Sequence, residues 1–298
     1  MCNNAVAFSD QTSRDKNTMQ RSQGRVTGLL KKILFRPAIK HPRLQRLWGR
    51  LHTLSVYAMN YGGGALIETS GEVWVLSEFV RPACAKLATP VIFDVGANVG
   101  DYSALVHRLI PSAKIYAFEP AGSVYEQLAE RCSTIANFEA FNFGFSDEEK
   151  SVDLHAYTIE GQAVSLISSI DRRLPTQVVE VEVSDTERIQ VRTLDSFCAS
   201  EGIDSIDFLK LDVEGHEVAV LRGAQAMLDR GAISMIQFEF GPANIYSRTY
   251  FYNFWSMLSD TYDLFRIVPG GVVPITDYGE HLEVFLTTNY FAMRKPAS

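Results

Sequence analysis

The sequence predicts an α/β domain, a mostly parallel sheet with helices on both faces, preceded by an N-terminal helical extension. Three observations carry that expectation. Short apolar runs of strand length alternate with amphipathic stretches of helix length between Val91 and Phe240, which requires right-handed crossovers and a sheet covered on both sides. The run Val91–Val95 ends in a glycine loop that opens a helix, the turn expected at the carboxyl edge of such a sheet. Charge also changes along the chain: residues 1–50 hold 11 Lys and Arg against 2 Asp and Glu, and residues 51–298 hold 17 against 33. We therefore expect a basic, partly disordered helical extension over residues 1–60 and one main domain over residues 61–298.

With 298 residues, 46% hydrophobic and 21% charged, the chain can bury a large core. Its acidic body is ill suited to a polyphosphate backbone, so nucleic acid is not an expected partner. No stretch approaches the ~20 consecutive apolar residues of a spanning helix. The opening MCNNAVAFSDQTSRDK lacks the basic-then-apolar order of a secretion signal. Cys2, Cys84, Cys132 and Cys198 stand far apart with no C-x-x-C, so neither zinc nor dithiol chemistry is spelled and a cytoplasmic setting is expected.

The elements follow in order. Residues 1–24 are polar and expected to lack fixed structure. Val26, Leu29, Leu30, Ile33 and Leu34 then share a helical face, Pro37 and Pro42 interrupt it, and Leu44, Leu47, Trp48, Leu51 and Leu54 resume it among Arg43, Arg46 and Arg50. A moderate stripe of this kind usually packs on a domain, and that is the expectation for residues 43–56. The alternative is peripheral membrane contact through residues 25–56. Tyr61–Gly64 is a flexible break, and Gly71–Leu76 reads as a short strand. Strand Val91–Val95, helix Tyr102–Leu109, strand Ile115–Phe118, helix Ser123–Arg131 and strand Phe138–Phe141 come next. Ser151–Tyr157, Val178–Val183 and Ile189–Arg192 alternate like exposed strands around a Ser165–Ser169 loop. Helix Leu194–Ser200, strand Phe208–Val213, helix Val218–Leu228 and strand Met235–Phe240 follow. Asp263–Val268 is expected to pair with Val284–Phe291 through a loop at Pro269–Gly271.

The loop Asp94-Val95-Gly96-Ala97-Asn98-Val99-Gly100 sits between an apolar strand and a helix. Its glycines let the backbone turn tightly and approach a ligand. The spelling is G-x-N-x-G rather than the G-x-G-x-x-G that cradles a pyrophosphate, with Asn98 in place of a middle glycine. Asp94 adds a carboxylate where a pyrophosphate would sit, so a ligand bearing an amine is the better electrostatic match. S-adenosylmethionine fits, with its positive amino and sulfonium groups. Glu119, closing the next strand, is placed to accept both ribose hydroxyls. Asn142, Phe143 and Asp147 are the nearest candidates for the adenine edge.

The second constellation is Lys210-Leu211-Asp212-Val213-Glu214-Gly215-His216-Glu217. Strand alternation puts Lys210 and Asp212 on one face. Charges in a central strand are costly unless paired or used. Lys210 is accordingly either part of the catalytic site or an ion-pair partner of Asp94, and Asp212 is expected to serve cofactor and catalysis.

Asp94–Gly100, Phe118-Glu119-Pro120, Thr193-Leu194-Asp195, Leu209–Gly215 and Leu221-Arg222-Gly223-Ala224 together resemble the FkbM family of S-adenosylmethionine-dependent methyltransferases. The resemblance spans about residues 70–295. It implies the class I methyltransferase fold, with a seven-stranded sheet whose last strand is antiparallel. It also implies O-methylation in glycan or natural-product pathways, with a small-molecule or glycan acceptor.

An O-methyltransferase must remove a hydroxyl proton, which calls for a base or a metal. His216 is the candidate base, with capping or packing as its plain alternative. Asp212 and Glu239 end neighbouring strands and form the candidate carboxylate pair for Mg²⁺. Tyr246, Tyr250, Phe251, Tyr252, Phe254 and Trp255 with Arg248 suit an acceptor wall, though Phe251, Phe254 and Trp255 are spaced like core. The rival readings are an NAD-dependent oxidoreductase, disfavoured by Asn98, and a non-catalytic ligand-binding domain.

Overall fold

The computed structural model describes residues 39–159, 162–170 and 181–296, so the stripe expected at Val26–Leu34 lies outside the described residues. The chain divides into one unit ending at Ala58 and a second beginning at Met59. In the first, helix α1 spans Pro42–Ala58. Leu44, Leu47, Trp48, Leu51 and Leu54, expected to be covered, are all exposed.

In the second unit, β1 (Val91–Val95), β2 (Lys114–Phe118) and β3 (Phe138–Phe141) run parallel, separated by α2 (Asp101–Leu109) and α3 (Gly122–Cys132). After α4 (Leu194–Glu201) come β8 (Phe208–Leu211), α5 (Glu217–Arg222), α6 (Gln225–Asp229) and β9 (Met235–Phe240). Helix α7 (Phe251–Leu258) leads to β10 (Tyr262–Val268), β11 (Gly271–Ile275) and β12 (Thr288–Arg294). The sheet order is β3-β2-β1-β8-β9-β12-β10-β11. Strand β12 runs antiparallel between β9 and β10. This is the class I methyltransferase sheet with one strand added at its edge. The expected seven strands are thus eight, because the Pro269–Gly271 turn folds β11 onto β10 and only residues from Thr288 onward form the returning strand. Pro274 fits in β11 because an edge strand needs no donor on its open side.

A smaller sheet of order β4-β7-β5-β6 is formed by β4 (Gly144–Phe145), β5 (Lys150–Ile159), β6 (Gln162–Ser169) and β7 (Val181–Arg192). The expected Ser165–Ser169 loop is therefore strand. The expected strand at Gly71–Leu76 is helical instead: Glu72–Val75, a π-helical turn at Leu76–Val80, then Arg81–Cys84. Val75, Leu76, Val80 and Cys84, buried at helical spacing beneath the sheet, decide between the two periods that this apolar run allows.

The two faces of the main sheet bury different sets. Phe93, Leu209, Leu211, Ile236 and Phe238 pack against Phe197, Val218 and Phe254 on one side. Ile92, Phe208 and Met235 pack against Val75, Leu76 and Val106 on the other. Along this second face each strand turns polar at its carboxyl end: Ile92 gives way to Asp94, Phe208 to Lys210 and Met235 to Gln237. The strand register sets these three side by side. The sheet therefore has a polar crevice where its strands stop, the place a doubly wound sheet holds its ligand.

Candidate active site

The loop after β1 is fixed by its backbone. Gly96 and Ala97 N–H both donate to Phe118 O at 3.0 Å, and Gly100 N–H donates to Ala97 O at 2.9 Å. Gly96 (φ +81°), Asn98 (+49°) and Gly100 (+87°) take left-handed conformations. At Gly96 any Cβ would stand 1.9 Å from Asp212 O, so this position admits glycine alone. Asn98 tolerates its conformation because its Oδ1 accepts from Val99 N–H at 2.8 Å.

Glu119 closes β2 and organises both flanking turns. Its Oε2 accepts from Asn98 N–H and its Oε1 from Ala121 N–H, each at 3.0 Å. Burial raises its pKa to about 7, the two N–H donors oppose the rise, and the nearby Asp94 and Asp212 carboxylates add to it. Each oxygen keeps a further lone pair for a ligand.

Asp94 is fully buried. Its Oδ2 accepts from Ser103 Oγ at 2.7 Å, whereas its Oδ1 has no partner among the described residues. Burial pushes its pKa upward, and Lys210 restrains the rise. A buried acceptor without a donor is costly, and a cationic ligand group would satisfy it.

Lys210 Nζ lies 2.9 Å from Asp212 Oδ2 and 4.7 Å above the Tyr102 ring centre. Burial works against its charge, but Asp212, Asp94 and Glu72 outweigh burial and hold it above the ordinary lysine range. Lys210 is therefore a fixed cation rather than a proton acceptor. Glu72, itself buried, accepts from Ser70 Oγ at 2.8 Å and from Gln237 Nε2. Sequence reasoning missed Glu72, Ser70, Ser103 and Gln237. Of these only Ser103, in the first turn after the glycine loop, carried a local signal.

The turn after β8 is shaped from within. Glu217 Oε1 accepts from Val213 N–H at 3.2 Å and Gly215 N–H at 3.1 Å, and its Oε2 receives Asn244 Nδ2 at 3.4 Å. Glu214 and Gly215 adopt φ of +54° and +100°. Burial raises the Glu217 pKa to about 7. His216 Nε2 lies 2.9 Å from Ser146 Oγ, which also donates to Asp147 Oδ1 at 3.0 Å. Asn142 Nδ2 donates to Glu119 O and Pro120 O, both at 3.0 Å. Phe143 belongs to the aromatic cluster of Phe118, Phe145 and Phe197, with the Arg192 guanidinium 5.3 Å from its ring centre.

Thr193-Leu194-Asp195 and Leu221-Arg222-Gly223-Ala224 form a joint instead of a binding surface. Asp195 accepts from Ala226 N–H at 2.8 Å and Met227 N–H at 2.9 Å, capping α6, and Asp195 N–H donates to Gly223 O at 2.9 Å. Gly223 breaks the helix expected over Val218–Leu228, and a Cβ there would stand 2.0 Å from Ser146 O.

Glu239, next to last in β9, lies one residue beyond the Leu211–Phe238 pair, which puts it beside Asp212 on the crevice face. Half-burial and the Asp212, Glu214 and Glu217 carboxylates hold its pKa well above the usual range. The Mg²⁺ expectation gains no support: no three His, Cys, Asp or Glu side chains converge as a metal set among the described residues.

The structure thus brings Asp94, Gly96, Ala97, Asn98, Gly100, Glu119, Lys210 and Asp212 to the ends of three adjacent strands. The model of the Methyltransferase FkbM domain matches residues 94–267 of this chain. The chain belongs to the FkbM methyltransferase family. This FkbM chain is 28% identical over 145 residues to the 2-O-methyltransferase NoeI of Sinorhizobium fredii, covering 47% of this chain and 60% of that protein. It is 28% identical over 175 residues to the methyltransferase sdnD of Sordaria araneosa, covering 50% and 68%. The hexuronic acid methyltransferase AglP of Haloferax volcanii is 25% identical over 134 residues, covering 45% and 49%. The match therefore spans only about half to two thirds of these relatives. Among solved structures, SMU.1697c, a putative methyltransferase from Streptococcus mutans in complex with SAH, aligns with TM-score 0.40 at 9% identity, covering 73% of this chain and 97% of that one.

Proposed function

We propose that the protein transfers a methyl group from S-adenosylmethionine to a hydroxyl of a carbohydrate, glycoconjugate or natural product. The observation that carries this reading is the buried Asp94 Oδ1, without a partner among the described residues, beside the Gly96 turn and the Glu119 carboxylate. It describes a site with a place for an ammonium group and a place for a diol. Bound S-adenosylmethionine would supply a methyl group on a sulfonium, and the chain's own residues bind and orient it.

Asp94 would take the ammonium and Glu119 the ribose hydroxyls, while Asn142 and Asp147 stand toward the adenine edge. Lys210 holds Asp212 in place through their 2.9 Å ion pair, and most of the rate comes from such positioning, worth up to ~7–11 kcal/mol. Glu239 stands beside Asp212 on the crevice face, among the Asp212, Glu214 and Glu217 carboxylates. His216, engaged by Ser146, positions the turn. Tyr250 and Tyr252 are exposed just past β9 and offer ring faces to a sugar, whereas Phe251 and Phe254 are core. The names of NoeI and AglP, one a 2-O-methyltransferase and one acting on a hexuronic acid, support an acceptor of this class.

The test has two stages. Calorimetry with S-adenosylmethionine, S-adenosylhomocysteine and NAD should give binding of the first two only. Methyl-labelled S-adenosylmethionine should then label one of a panel of deoxyhexose and hexuronic acid glycosides, and Asp94→Ala should abolish the labelling. Binding of NAD alone would overturn the reading.

A further inference from the structure

Helix α1 carries a surface that the methyl-transfer site does not use. Over its 17 residues, Pro42–Ala58, it holds Arg43, Arg46 and Arg50 and no acidic residue. Leu44, Leu47, Trp48, Leu51 and Leu54 follow helical spacing, so they line one face along about 15 Å of the helix. They are 38%, 51%, 40%, 43% and 64% exposed. By the same spacing the three arginines run along one edge of that face, where their aliphatic stems extend the apolar surface and their guanidinium groups stay at its border. None of the three forms an ion pair among the described residues.

A row of large exposed apolar side chains flanked by arginine, with no acid among them, has the chemistry of a helix that lies in a lipid interface. Charge decides which interface. Residues 1–50 carry 11 basic against 2 acidic residues, and residues 51–298 carry 17 against 33. An anionic surface would attract the extension and repel the rest of the chain, so attachment through α1 is the arrangement that charge permits. No helix among the described residues is long and apolar enough to cross a membrane.

We propose that α1 docks this protein on an anionic phospholipid surface, with Leu44, Leu47, Trp48, Leu51 and Leu54 entering the acyl boundary and Arg43, Arg46 and Arg50 at the headgroups. This is independent of the identity of the methyl acceptor. Each arginine near such a surface contributes about fivefold in affinity, so the three together favour anionic over neutral vesicles on the order of a hundredfold at low salt.

The experiment is co-sedimentation of the full chain with vesicles of phosphatidylcholine alone or with phosphatidylglycerol added, in low and high salt. Trp48 emission serves as an insertion signal, read against a Trp48→Phe control. Preferential binding to the anionic vesicles, weakened by salt, with a blue shift of Trp48, is the expected result. Arg43→Gln, Arg46→Gln and Arg50→Gln together should remove the anionic preference, and Leu47→Glu with Leu51→Glu should remove binding to both vesicle types. S-adenosylmethionine affinity, unchanged in both variants, confirms that the main unit is folded. Equal binding to both vesicles, or none, overturns the proposal. So does concentration-dependent self-association without lipid that Leu47→Glu and Leu51→Glu abolish, since the face would then join two copies of the chain.

Discussion

Asn98 N–H donates to Glu119 Oε2 at 3.0 Å, which makes the glycine loop after β1 and the acid closing β2 a single hydrogen-bonded unit. A change in Glu119 is therefore felt in both the ribose position and the loop. Its pKa of about 7 places its titration in the working range. Cofactor affinity should rise with pH from 6 to 8, as the carboxylate that accepts the ribose hydroxyls forms. Glu119→Gln should weaken S-adenosylmethionine binding by about 1.5–3 kcal/mol and flatten that rise. The folded-state pKa exceeds the unfolded value, so the stability from this group is present below about pH 4.5 and lost as pH climbs through about 7. The cofactor-free protein should lose less stability over that window in the Gln variant. Calorimetry and urea unfolding across pH measure both, and an unchanged pH profile would count against the ribose assignment.

Gly96 and Gly202 separate conformational strain from steric conflict. Both have positive φ, +81° and +66°, but a Cβ at Gly202 meets nothing within 4 Å whereas one at Gly96 meets Asp212 O at 1.9 Å. Gly202→Ala should cost about 1 kcal/mol. Gly96→Ala should cost several times as much and abolish cofactor binding, because it forces β1 away from the turn after β8. Similar urea midpoints for the two variants would refute the backbone conflict.

Lys210 is the cation among the Glu72, Asp94 and Asp212 carboxylates. Replacing it with Met leaves these charges uncompensated and should cost about 3–5 kcal/mol at pH 8. Glu72 and Asp94 both have raised pKa values, so the loss should shrink toward pH 5 as they take up protons. Unfolding curves at the two pH values decide; a loss independent of pH would mean that Lys210 contributes packing rather than charge.

Asp195 caps α6 through Ala226 and Met227 N–H. Asp195→Ala should lower stability by about 1–2 kcal/mol. S-adenosylmethionine affinity should stay within about twofold once the folded fraction is corrected for, since the capping contact belongs to the joint and not to the crevice. A larger loss of affinity, read by calorimetry, would assign the residue to the site.

The sequence by itself determined the parallel strands, the glycine loop and the acid that closes β2. Each rests on a local pattern: an apolar run bounded by turns, two glycines at a fixed spacing, a carboxylate at a strand end. What lies within a few residues fixes backbone period and turn geometry, and that much is written linearly. Only the tertiary structure decided Gly71–Leu76, whose apolar run suits strand or helix until Val75, Leu76 and Val80 find a sheet to pack on. Only the fold could bring Glu72 to Gln237, or Ser146 to His216, across separations that no spacing rule spans. The same holds for the stripe on α1. Its periodicity was legible, but whether it would be covered depends on surfaces elsewhere in the chain, and in the structure it is exposed. Local sequence encodes period and handedness, whereas burial and charge pairing are sums over distant neighbours that exist only once the chain has folded.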